Sequence, residues 1–316
     1  MKFTKLVKMT QKKMKNYLMK ELMGYYPVVI NEDGFLYAKG TEPCLLTAHM
    51  DTVHEAPVRQ IKCQQKKNKT ILSSPQGIGG DDRCGIFMIL YILQNTDYRP
   101  SILFCEDEEI GGVGSGKFCK TEHIKDLKEL KYFLELDRAN DKDLVFYDCG
   151  NEDFKKFAEQ ITGYKEAWGS FSDISHLSPA TDVASLNISC GYYKQHTLEE
   201  YVVYEEMLES IYKVIDLVEA SKDCEKFDYQ EVIYAPRYTY SNYYDYFKGE
   251  DKLYGMEIAH YDENQNEVWT FVDGESEMEC LGRFLYEHPT MTFDDILDYQ
   301  PYYYEDYAYA KATQVY

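Results

Sequence analysis

Five residues in this 316-residue chain have the types that bind a divalent cation, and each stands where a strand ends or a helix begins. His49 closes the apolar run Cys44-Leu45-Leu46-Thr47-Ala48. Asp81 sits in Gly79-Gly80-Asp81-Asp82, just ahead of a long apolar stretch. Glu109 follows the run 101–105, and Asp137 ends the run 131–136. His196 comes a short loop after the run 184–190. In an open α/β sheet, sites form at the carboxyl ends of the strands, so these five side chains are expected to meet there. Imidazole and carboxylate together suit zinc, and cobalt or manganese could enter the same cage. A shared carboxylate can hold two such ions roughly 3.5–4 Å apart. Asp51, two residues after His49, shares its strand face and can accept the second ring N–H. Glu108 and Glu109 read as an extended pair pointing opposite ways, one to ligate and one to serve a metal-bound water as general base. Taken singly, a histidine at a strand end is usually structural and an acidic pair is usually solvated. Their joint occurrence, in this order, points to a metal site.

The elements that must position these residues alternate strand and helix. Helices are expected over 8–23, 82–94, 152–161 and 197–220. Strands are expected over 27–30, 35–38, 44–48, 101–105, 131–136, 144–147 and 184–190. The fold class is therefore α/β, with a mostly parallel mixed central sheet flanked by helices. Met9, Met14, Leu18 and Leu22 fall roughly on one stripe of the first helix.

The strings AHMDTV, GIGGDDRCG, EDEEIGG, ELD and QHTLEE resemble the ordered motifs of the co-catalytic zinc exopeptidases. That group includes peptidase T-like tripeptidases, glutamate-type carboxypeptidases, related deacylases, and leucyl- or tetrahedral-type aminopeptidases. The resemblance covers about residues 8–220. It implies the fold of the zinc aminopeptidases and two zinc ions. His49 and Asp137 would bind one ion, Glu109 and His196 the other, and Asp81 would bridge both. Asp51 would orient His49. Glu108 would take the proton of the attacking water and later protonate the leaving amine. The segment Ser170–His176 resembles a substrate-side loop of such enzymes: Asp173 would pair with a free amino terminus, and His176 or Tyr164 would steady the oxyanion. Arg83 reads as the partner of a structural ion pair.

Spacing narrows the layout. Only 30 residues separate Asp51 from Asp81, too few for the domain that tetrahedral aminopeptidases insert there. The 59 residues from Asp137 to His196 are used up by ordinary elements, which leaves no room for a lid or dimerisation domain. The layout is that of a stripped catalytic domain acting on short peptides, most simply an aminopeptidase or a di- or tripeptidase. An amidase, deacylase or carboxypeptidase with the same cage is the nearest alternative. A binding protein that kept the fold without catalysis is an alternative of another class.

Bulk properties exclude several other roles. With 55 acidic against 34 basic residues the net charge is -21, which repels nucleic acid and anionic membranes. No apolar run spans a bilayer, and the basic start lacks the apolar core of a secretory signal. Nine dispersed cysteines without a CxxC pair fit reduced thiols and a cytoplasmic setting. Composition shifts after Cys224. Residues 225–316 carry 17 of the 31 tyrosines and about three acids per base, which marks an acidic, Tyr-rich annex beside a 1–224 catalytic domain. Tyrosine is enriched at interfaces, so this annex is expected to cover the cleft or to make a homo-oligomer contact.

Overall fold

The computed structural model describes residues 2–54, 58–232, 253–261, 267–273 and 296–303, with Cys280, Phe284, His288 and Met291. The chain divides into two compact units, Met1–Ile233 and Tyr234–Tyr316. In the first unit the helices are α1 (Phe3–Leu6), α2 (Gln11–Leu22), α3 (Gly80–Asn95), α4 (Val113–Phe118), α5 (Ile124–Leu127), α6 (Glu152–Thr162), α7 (Ile174–Thr181) and α8 (Tyr204–Ala220). Its strands are β1 (Ile30–Glu32), β2 (Phe35–Ala38), β3 (Glu42–His49), β4 (Lys62–Lys66), β5 (Lys69–Ser73), β6 (Pro100–Cys105), β7 (Tyr132–Arg138), β8 (Asp143–Val145), β9 (Lys165–Glu166), β10 (Ser185–Ser189), β11 (Tyr192–Tyr193) and β12 (Tyr201–Val203).

Eight strands form the central sheet, in the order β1-β2-β6-β3-β7-β10-β8-β9. Its middle, β6-β3-β7-β10, is parallel, while β2 joins β6 and β8 joins β10 antiparallel. Continuous apolar runs are what a strand covered on both faces requires. Leu46 and Ala48 of β3 face one layer, with Leu36, Ile102, Phe104 and Leu134 and the apolar sides of α2, α3, α6 and α8. Leu45, just before them in the strand, faces the other layer, where Phe35, Leu103 and Phe133 meet Phe118, Leu127, Ile174 and Leu177. Each such Leu or Phe, fully buried, contributes roughly 1.5–3 kcal/mol.

Helix α3 lies as close to β7 as a backbone can. A Cβ on Gly85 would stand 1.8 Å from the Leu136 carbonyl oxygen, so only glycine lets the helix that follows Asp81 approach the strand that ends in Asp137.

Several expected boundaries move. The chain breaks at Met9–Thr10, so the first helix becomes α1 and α2, with Met14, Leu18 and Leu22 buried on the α2 stripe. The last helix starts at Tyr204 rather than 197, because Tyr201–Val203 pairs with β5 in a second sheet, β11-β12-β5-β4. Residues 227–232 stay with the first unit: Phe227 N–H donates to the Lys131 carbonyl and Tyr229 N–H to that of Asp182.

In the second unit β13 (Leu253–Tyr261) is flanked antiparallel by β14 (Glu267–Asp273) and β15 (Ile296–Tyr303). Met256, Ile258 and Val272 gather on one face of this sheet with Cys280 and Phe284. The tyrosine clusters at 243–246 and 304–309 lie outside the described residues. Among the described residues no helix is long and apolar enough to cross a membrane.

Candidate metal centre

Three parallel strands and one helix start bring the candidate residues to one edge of the sheet. His49 is the last residue of β3, Asp137 stands near the end of β7, and Asp81 lies in the first turn of α3. Glu108 and Glu109 follow β6, and His196 sits in the loop between β11 and β12. The segment after β6 is a turn rather than an extended stretch. Asp107 has φ 61°, and the Glu108 carbonyl accepts from the amides of Gly111 and Gly112.

Two ligand-like groups result, His49–Asp81–Asp137 and Asp81–Glu109–His196, and in each the donor atoms lie within 4.8 Å of one another. Asp81 belongs to both. Its Oδ1 is 2.9 Å from His49 Nε2, and its Oδ2 is 3.2 Å from His196 Nε2. His49 Nε2 is 3.4 Å from Asp137 Oδ1, and His196 Nε2 is 3.1 Å from Glu109 Oε2. The donor set, two imidazoles and three carboxylates in a shared arrangement, fits two divalent cations of the zinc type. Among the described residues the buried Glu109 Oε1 has no hydrogen-bond partner, which suits a ligand atom for a cation.

A surrounding shell fixes these groups. Asp51 Oδ1 takes the second ring nitrogen of His49 at 3.1 Å, and its two oxygens accept the backbone amides of Glu108 and Glu109, both at 3.1 Å. One carboxylate therefore orients an imidazole and anchors both acids of the turn. Buried Asp82 accepts the His49 amide at 3.1 Å and the Gly85 amide at 2.7 Å, which ties the end of β3 to the start of α3. Ser172 Oγ donates to Asp137 Oδ2 at 3.1 Å, and the Tyr192 hydroxyl donates to the Asp137 carbonyl at 2.6 Å. Sequence reasoning passed over Asp82, Ser172 and Tyr192. The doubled aspartate was a visible signal for the first. Nothing local marks the other two, since Tyr192 reaches across 55 residues.

Charges in the cage press on one another. Burial works against a charged His49, yet Asp137 and Asp51 outweigh it and hold the ring's pKa well above its ordinary value. Hydrogen bonding of its ring to the carboxylates of Asp81 and Glu109 raises His196 to about 11. Burial pushes Glu108 up to about 10 and Asp137 up to about 7. Burial also opposes ionised Asp81, but His196 and His49 overcome it and hold that carboxyl below its usual range. Both imidazoles are thus charged at neutral pH in the metal-free protein. Because a cation binds only the neutral ring, uptake must expel at least those two protons. Zinc affinity should therefore rise about 100-fold per pH unit near pH 7, measured by chelator competition between pH 6 and 8. Affinity that does not change over that range would show that the imidazoles are not ligands.

Three expected substrate contacts fall elsewhere. Asp173 starts α7 in the layer beneath the cage, and both its oxygens are closed off from solvent, so no peptide amine reaches them. Tyr164 follows α6 on the face packed against α8. Its hydroxyl meets Ser210 at 3.1 Å within the core, so it does not serve the cage. His176 borders Gly112 of the glutamate turn, but its Nδ1 is taken by Ser115 Oγ at 3.0 Å and its ring packs on Phe171. Among the described residues Arg83 makes no carboxylate pair and instead donates to the carbonyls of Met50, Asp51 and Met9.

Residues 36–183 match the model of Peptidase family M28, a stretch that holds every candidate ligand except His196. No curated protein matches the sequence. Among solved structures, the aminopeptidase PepT of Bacillus cereus is similar with a TM-score of 0.55 at 15% identity, over 70% of this chain and 97% of that one. A tripeptidase of Staphylococcus aureus is similar with a TM-score of 0.55 at 14% identity, over 69% and 96%. The TET1 peptidase of Pyrococcus horikoshii, which can assemble into a tetrahedron or a large octahedral shell, has a TM-score of 0.51 at 11% identity, over 68% and 97%. The structural likenesses give the fold, that of the aminopeptidases. With the family match over the ligand-bearing stretch, the chain is a metal-dependent peptide hydrolase similar to the co-catalytic zinc exopeptidases.

Proposed function

We propose that this chain is a two-zinc aminopeptidase acting on short peptides, with Asp81 as the shared ligand. The observation that carries this reading is the split of the Asp81 carboxylate between two imidazoles, each with a further carboxylate beside it. His49 and Asp137 would hold one ion, and Glu109 and His196 the other. Two zinc ions so held would polarise the scissile carbonyl and bring a water's pKa towards neutrality. Glu108, anchored through its amide to Asp51, would take the proton of the attacking water and return it to the leaving amine.

Charge favours the amino-terminal end of the substrate. A carboxypeptidase needs a free cation for the terminal carboxylate. Among the described residues around the cage, Arg83 is spent on backbone carbonyls, Arg138 on Asp143 and Lys194 on Glu199. The excess of carboxylates suits an ammonium instead. Ile110 and Leu198, next to Glu109 and near His196, are exposed and offer an apolar first side chain a surface to lie on. A homo-oligomer is part of the reading, supported by the assembly of the TET1 peptidase, and sedimentation of the full chain measures it.

The deciding assay compares aminoacyl anilides and short peptides, free or blocked at either end, with and without chelator. Free amino termini should be cleaved, N-acetylated partners should not, and carboxyl-terminal amides should be tolerated. Activity should stop with chelator and return with zinc. Cleavage of the N-blocked series would point to a deacylase, and dependence on a free carboxylate to a carboxypeptidase. No hydrolysis across the panel would leave only the binding protein.

A further inference from the structure

Glu200 is fully buried, four residues after His196. A carboxylate placed there is costly unless its charge is met by donors. Three donors meet it. Oε2 accepts the Gly79 amide at 2.7 Å and lies 3.0 Å from His54 Nε2, while Oε1 accepts the Asp81 amide at 3.0 Å. Two of these donors belong to the turn that delivers Asp81. That turn leaves helical geometry: Gly79 is left-handed with φ 64° and Asp81 has ψ 104°. The Asp81 amide therefore finds its acceptor outside the helix, on a side chain that arrives from the His196 loop.

We propose that Glu200 is a positioning residue for the shared carboxylate, with His54 bracing it. Its two oxygens fix the backbone of Gly79 and Asp81, and its place in the chain ties that backbone to His196. One side chain thus sets the spacing between the two halves of the cage. Glu200 acts only through Asp81. The inference rests on the two-metal reading. Carboxylates that orient ligands in this way typically govern metal affinity by about 10–100-fold.

Glu206 provides the comparison. It is also a nearly buried carboxylate, but it pairs with Lys69 and the Tyr193 hydroxyl, away from the ligands. The experiment measures zinc affinity and stoichiometry by chelator competition on the full-length wild type, E200Q, E206Q and H54A, with the melting temperature of each metal-free protein. Glutamine has one acceptor oxygen, so E200Q sets its amide N–H against a backbone N–H. E200Q should weaken both zinc ions together by about 10–100-fold, H54A by a few-fold, and E206Q not at all. Wild-type affinity in E200Q overturns the inference, and so does a fall in metal-free melting temperature without a change in affinity. Should E200Q not fold, unchanged affinity in H54A overturns it. A wild type that takes up no zinc overturns this inference and the two-metal reading together, which separates the two failures.

Discussion

Replacing Glu108 with glutamine should lower kcat by about 10²–10⁴-fold and leave both zinc ions bound. Glu108 stands outside both ligand groups, although its neighbour Glu109 is in one. Its backbone is held by the same Asp51 that orients His49, so its side chain is delivered at a fixed offset from the first ligand. Burial pushes its carboxyl up to about 10 in the metal-free protein, and the neighbouring His49, which favours the ionised form, does not outweigh it. Two cations in the cage would reverse that balance and ionise it, which a general base requires. Glutamine keeps the size and the turn but takes up no proton. Steady-state kinetics on a free aminoacyl substrate, with metal analysis of the same sample, reads both halves. Unchanged kcat would move the base elsewhere, and loss of zinc would make Glu108 a ligand.

The core of the fold was legible because a sheet covered on both faces demands unbroken apolar strands. The runs 44–48, 101–105, 131–136 and 184–190 are such stretches, and they became β3, β6, β7 and β10. The hairpin β4–β5 was not legible. Every residue of β4 is exposed, so Lys62–Lys66 shows no apolar alternation. Tyr201-Val202-Val203 has good strand composition, but it runs directly into α8, and its partner β5 is about 130 residues earlier in the chain. The ligand types could be read because metal chemistry restricts them to a few side chains at strand ends. Asp173 and Tyr164 misled because residue type does not say which face a side chain takes. Asp173 turned beneath the sheet edge, and Tyr164 turned towards α8. Glu200 showed only as the last residue of QHTLEE, and its role was not legible, since its three partners lie 119–146 residues away.

Asp81→Asn should have the larger effect on metal content, taking both ions at once. Every other candidate ligand serves one group, whereas Asp81 gives one oxygen to each. Asparagine preserves the volume and one oxygen but turns an amide N–H₂ towards the other imidazole and its cation. It also removes the negative charge that offsets two cations. Zinc content should fall from about two per chain to near none after dialysis, and hydrolysis to background. His196→Ala should instead cost chiefly the Glu109-side ion, because His49, Asp81 and Asp137 remain in place. One tight zinc surviving in Asp81→Asn would mean that the carboxylate serves a single ion. Comparison with E200Q then separates two kinds of loss. Removing the shared ligand empties the cage, whereas loosening the turn beneath it leaves both ions bound more weakly and by the same factor.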